Sequence, residues 1–148
     1  MDLNIPCATH VRESTVVHGK LDKVWSLVRG MKFAWNPDVM GAECEATPGV
    51  GSTVTYSYAD GTKQTVQIVE LSDLVHFVTY QVVESRPAIS YSSALFKIQL
   101  YEVTTADQVF VEWTTDFSND ASAAVIGDSR YKKHEGFKAL ATYLLETA

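Results

Sequence analysis

From Val39 to Phe117 the chain reads as six β-rich segments in direct succession, and it then ends in a long stretch that contains no proline. The segments Val39–Ala46, Ser52–Ala59, Lys63–Leu71, Val75–Val83, Tyr91–Val103 and Gln108–Phe117 are rich in the β-branched and aromatic residues that suit a pleated surface. Turn chemistry separates them at Pro48-Gly49-Val50-Gly51, Asp60-Gly61, Ser72-Asp73, Arg86-Pro87 and Ala106-Asp107. Strands repeating at roughly ten-residue spacing imply an antiparallel meander, and Asp-Gly between two such runs is a strong hairpin signal.

The N-terminal part supplies one more strand, from Cys7 to Val17, which ends at the turn His18-Gly19-Lys20. Leu21, Val24, Trp25 and Val28 then recur at i, i+3, i+4 and i+7, predicting an amphipathic helix from about Lys20 to Arg29 with Gly30 as its stop. Met31 to Pro37 is dense in apolar residues and is read as one more helical turn, a second short helix, with Pro37 disfavouring helix at Asn36. The last segment, Asp120 to Thr147, is read as one long helix capped by Ser118, Asn119 or Asp120. Val125, Ser129, Lys132, Gly136, Leu140 and Tyr143 lie along one side of it. Gly136 inside a helix costs about 1 kcal/mol relative to alanine, which points to close approach by a neighbour on that face.

The expected fold class is therefore α+β. Seven antiparallel strands form a curved sheet that grips a long C-terminal helix, two short helices separate strands one and two, and residues 1–148 make a single domain. The tapering space between such a sheet and its helix is where a pocket would form.

Composition narrows the partners. With 46% apolar and 20% charged residues the chain is of globular type. A net charge of −6 with only 12 Lys plus Arg argues against a nucleic-acid backbone or an anionic membrane as main partner. No apolar run approaches the roughly 20 residues of a membrane span, and Met1 to Pro6 lacks a signal-peptide pattern, so a cytoplasmic location is expected. Cys7 and Cys44 are read as reduced structural thiols, although sequence leaves a bridge between them open. His10, His18, His76 and His134 are dispersed, without the spacing of a metal or triad signature, and neither metal nor organic cofactor is expected.

The element order, with Lys23-Val24-Trp25-Ser26-Leu27-Val28, Trp35-Asn36-Pro37, Gly49-Val50-Gly51 and Val111-Glu112-Trp113-Thr114, resembles the START and birch-pollen-allergen superfamily (SRPBCC) over nearly the whole chain. It looks most like the polyketide cyclase/dehydrase-like branch, which includes the plant abscisic-acid receptors and the onion lachrymatory-factor synthase. The resemblance implies a cavity for a lipid, hormone, polyketide or similar apolar molecule. The receptors' Ser-Gly-Leu-Pro-Ala gate and His-Arg-Leu latch are replaced here by Tyr58-Ala59-Asp60-Gly61-Thr62 and Ser85-Arg86-Pro87.

Glu112 matches a pocket glutamate of those receptors, and Tyr91 and Ser93 match a pocket tyrosine and serine. An inward Glu112 in an apolar strand would anchor a polar ligand end or serve as a general acid or base; on the outer sheet face it would be a plain surface glutamate. Tyr91, Ser93 and Leu95 share a face by alternation. Tyr80, Val82, Thr114, Phe117, Lys132, Gly136 and Leu140 complete the expected ligand-binding set, each also readable as ordinary core or, for Lys132, as a solvated lysine. Three functions remain open: ligand binding; a cofactor-independent cyclase, dehydratase or isomerase using Glu112 and Tyr91; and a protein-interaction module whose pocket has collapsed.

Overall fold

The computed structural model describes residues 8–148 of the chain. Its elements run β1 (His10–His18), α1 (Leu21–Arg29), β2 (Val39–Glu43), β3 (Thr53–Tyr58), β4 (Lys63–Ser72), β5 (Phe77–Arg86), β6 (Ala94–Val103), β7 (Gln108–Phe117) and α2 (Ala123–Glu146). The seven strands form one antiparallel sheet in the order β1-β7-β6-β5-β4-β3-β2. Each neighbour from β2 to β7 is the next strand in sequence, as short turns dictate, and β1 closes the order by pairing with β7. Cys7, expected to open the first strand, lies outside the described residues; Cys44 is a free, half-buried thiol.

The sheet bends where its ladder is interrupted. The β4–β5 register shifts between Thr65 and Val66 and again between Ile68 and Glu70, and the β2–β3 register shifts between Val39 and Gly41. Bulges of this kind kink a strand and increase its twist, which curls the sheet around α2. The β3–β4 turn behaves as its sequence demands: Gly61 has φ +89°, and Thr62 N–H donates to Asp60 Oδ1 at 2.9 Å.

One helix, not two, separates β1 from β2. Residues 31–37 are irregular, with turns at 34–35 and from 37, and with Met31 at φ 58° and Phe33 at φ 49°. Two left-handed residues within three positions cannot continue a right-handed helix. The conformation puts Met31 fully into the core and turns Phe33 against Trp35, Tyr56, Tyr80 and Trp113, with ring centroids 5.2, 5.4, 6.3 and 5.9 Å away. Tyr56 OH donates to the Met31 carbonyl and ties the segment to β3.

The cap of α2 is Ser122, whose Oγ accepts from Val125 N–H at 3.2 Å. Ser118 and Asp120, the expected caps, instead tie down the segment before β6: Ser93 N–H donates to Ser118 Oγ, and the Ser92 N–H and hydroxyl both donate to Asp120. The Ser118 hydroxyl, with the Ser92 hydroxyl and N–H, donates to Asp120 and holds its carboxyl down at about 2.

The buried line on α2 runs through Ile126, Lys133, Phe137, Leu140 and Leu144, with Gly136 beside it. It packs beside β1 and reaches Trp113 and Thr115 of β7 and Phe96 of β6, while Val111, Ile98, Val78, Ile68 and Val54 on the strands of the same core are almost completely buried. Among the described residues no helix is long and apolar enough to cross a membrane.

Candidate functional site

Strand parity decides which side chains reach the interior. In β7 the odd positions Val109, Val111, Thr115 and Phe117 are buried, and Trp113 shares their face. In β6 the inward set is Ala94, Phe96, Ile98 and Leu100. Between this inner face and α2 the structure leaves a cavity of about 1030 Å³. Its walls are Phe33, Trp35, Tyr56, Tyr58, Tyr80, Phe96, Trp113 and Phe117, with Val66 and Ala139 filling between rings. Charged side chains, Asp38, Asp60, Asp128, Lys132 and Lys138 among them, stand at the rim.

The aromatic wall is ordered by edge and face contacts. Tyr80 stacks on Phe96 with centroids 5.1 Å apart and planes 4° from parallel, and its hydroxyl accepts from Trp113 Nε1 at 3.2 Å. Burial pushes the Tyr56 and Tyr80 phenols far up and raises Tyr58 to about 12, so all three are neutral hydroxyls near neutral pH. The Trp35 indole N–H is buried and has no acceptor among the described residues. Gly136 allows α2 to approach closely: a Cβ there would lie 2.9 Å from Trp113 Cζ3 and 3.9 Å from Trp35. The close neighbour expected from a glycine inside this helix is Trp113.

One charged side chain enters this wall. Lys133 is only 3% exposed, and its Nζ donates to Thr115 Oγ1 at 2.6 Å and to Ser129 Oγ at 2.8 Å. The same nitrogen lies 5.3 Å from the Phe96 centroid and 5.6 Å from that of Trp113. Among the described residues no carboxylate bonds it. Glu13, the inward acid of β1, is taken by Arg130 at 3.0 Å and His134 at 3.3 Å. Burial lowers Lys133 to about 7, opposed only by the field of Glu13.

Of the residues singled out in the sequence, Tyr80 and Phe117 line the cavity. Lys132 stands at the rim, paired to Asp128 at 2.9 Å, and its neighbour Lys133 is the one that points inward. Gly136 and Leu140 are core under the cavity, and Val82 packs against the core from the inner face of β5 without lining it.

The remaining candidates are elsewhere. Glu112 is on the outer face, 2.5 Å from Arg12 Nη2, and Thr114 shares that face by parity. The apolar Phe110 between Val109 and Val111 made the strand look apolar on both sides, which hid the alternation. Tyr91 and Ser93 precede β6 instead of opening it. Tyr91 packs edge-on behind Phe117 at 5.1 Å, outside the cavity lining; Ser93 is exposed, and Leu95 faces outward at 39% exposure. In the Ser85-Arg86-Pro87 segment, Arg86 forms an exposed pair with the neighbouring Glu84 at 3.6 Å.

By sequence, neither a family model nor a curated protein matches the chain. By structure the likeness is extensive. Protein XoxI from Bacillus cereus superposes with a TM-score of 0.81 at 21% identity, covering 95% of this chain and 98% of that one. A START superfamily protein from Mycobacterium smegmatis gives 0.76 at 12% identity, covering 94% and 99%. The major latex-like protein 151 of Panax ginseng gives 0.72 at 17% identity, covering 90% and 95%.

The chain has the helix-grip fold of the START and birch-pollen-allergen superfamily. Identities this low establish the fold and leave function to the site. Within the helix-grip frame, Lys133 is the functional candidate that sequence reading missed. The signal was present in the spacing Ile126, Lys133, Phe137, Leu140, Leu144, which is a better apolar stripe than the one through Lys132.

Proposed function

We propose that the chain binds a small, largely apolar molecule in the cavity between sheet and α2, with a polar oxygen of the ligand held at Lys133. The observation that carries this reading is the buried amine in an otherwise aromatic wall. Desolvating an ammonium is costly, and two neutral hydroxyls offset only part of that cost. A ligand oxygen accepting from Nζ would supply the missing partner, while the rings around it bury the apolar body. A space of about 1030 Å³ favours this over an interaction module with a collapsed pocket. The outward Glu112 and the displaced Tyr91 give no support to acid–base catalysis by that pair.

The test is titration with 1-anilinonaphthalene-8-sulfonate, an apolar anion whose fluorescence reports burial, and with uncharged 1-aminoanthracene. Both should bind one to one. Charged hydrogen bonds are worth roughly 1.5–3 kcal/mol, so Lys133→Met should weaken the sulfonate about ten- to a hundredfold and leave the neutral dye nearly unchanged. No saturable binding of either dye, or equal affinities in both proteins, would overturn the reading.

A further inference from the structure

We propose that Lys133 captures aldehyde or ketone ligands covalently, as a reversible imine on Nζ. The inference rests on the ligand-binding reading above and deepens it by naming the reactive class.

Three features of the geometry carry it. First, Lys133 lines the cavity and, among the described residues, no carboxylate bonds its Nζ, so no ion pair fixes it as an ammonium and only the ring faces of Phe96 and Trp113 favour the cation. Its surroundings from each packed element are Glu13 of β1, already engaged by Arg130 and His134, Phe96 from β6, Trp113 and Thr115 from β7, and Ser129 of α2. Second, the two hydroxyls on Nζ can accept both N–H bonds of the neutral amine, which leaves its lone pair free to attack. Third, aromatic walls give the carbon that would be attacked an apolar surrounding, and the open rim gives a leaving water a way out. Burial lowers the amine to about 7, so close to half of the molecules carry the nucleophilic form at neutral pH, as in other desolvated nucleophilic lysines.

The step balances without oxidant or reductant. The Nζ lone pair forms a bond to the carbonyl carbon while the C=O π pair moves onto oxygen. A proton passes from nitrogen to that oxygen through Thr115 or Ser129, giving a carbinolamine. The hydroxyl then takes a second proton and leaves as water as the nitrogen lone pair closes C=N. The iminium gives up its remaining N–H proton, so that amine plus carbonyl gives imine plus one water.

The experiment uses octanal with sodium cyanoborohydride at pH 7 on the full chain, followed by intact mass and peptide mapping. The reductant converts an imine into a stable octyl amine. An ordinary lysine near pKa 10.4 is neutral in only about one molecule in a few thousand at pH 7. Labelling should therefore concentrate on Lys133, at least about tenfold over Lys132 or Lys138, and Lys133→Arg should abolish that adduct. The wild-type peptide map decides by itself, so the result does not depend on how well the variant folds. Octan-1-ol, which cannot form an imine, is run in parallel as a competitor of 1-aminoanthracene. Labelling spread evenly over exposed lysines while octan-1-ol still displaces the dye overturns the covalent step and leaves the binding reading standing. Even labelling with no displacement overturns both.

Discussion

Replacing Lys133 with methionine should change how stability depends on pH, because the amine's proton affinity differs between the folded and unfolded chain. Folded Lys133 is lowered to about 7 by burial, against 10.5 for an ordinary lysine. Between those values the unfolded chain holds a proton that the folded chain has released, so stability rises with pH across that window. Below pH 7 both states are protonated and the full penalty of the buried ammonium applies; above 10.5 it is gone. The whole span corresponds to roughly 4–5 kcal/mol, and the part recovered between pH 7 and pH 9 is about 2 kcal/mol.

Methionine is of similar length and does not titrate, so the difference between wild type and Lys133→Met isolates this group from the other titrating residues. The absolute offset depends on the Thr115 and Ser129 hydroxyls losing their partner, at about 1–3 kcal/mol per unsatisfied group. The slope does not depend on that offset. Urea unfolding of both proteins at pH 6, 7, 8 and 9 measures it. Wild type should gain about 2 kcal/mol on the variant from pH 7 to 9 and very little from 6 to 7. A difference constant within about 0.5 kcal/mol over pH 6–9 would refute the reasoning, since it would mean that the lysine keeps its proton in the folded state.

Gly136→Ala should destabilise the protein by about 1–3 kcal/mol in urea, even though alanine is the better helix former, because the new methyl would meet a Trp113 ring packed against Phe33 and Phe137. An unchanged or raised midpoint would mean that α2 is not held against that ring. Glu112→Gln should cost under about 1 kcal/mol, since it loses only an outer-face pair with a largely exposed Arg12. The same variant should leave dye affinity within about twofold, and a large loss of binding would return Glu112 to the site.

Much of the fold was legible because local chemistry and global topology agree. Turn residues at Asp60-Gly61 and the glycine-rich segment near Gly51, β-rich segments between turns, and a proline-free terminal helix leave few arrangements other than a meander closed on a helix. The first helix was readable from Leu21, Val24, Trp25 and Val28 for the same reason. Residues 31–37 were not. Their composition favours a helix, whereas the hydrogen bond from Tyr56 to the Met31 carbonyl and the packing of Phe33 on Tyr56, Tyr80 and Trp113 accompany left-handed backbone at Met31 and Phe33, conformations that cost energy locally.

The site was legible as a cavity and not as a set of side chains. Alternation in β7 places Glu112 opposite Val111 and Trp113, and the sequence carried that parity in its register, yet a glutamate flanked by apolar residues reads the same from either face. On α2 a rotation of one residue, about 100°, separates Lys132 in solvent from Lys133 among aromatic rings. Outside residues 31–37, the sequence by itself determined which segments are strands and which are helices, because propensity, periodicity and turn chemistry act over a few residues. Only the tertiary structure decided which lysine loses its water, because desolvation depends on strands and a helix brought together from opposite ends of the chain.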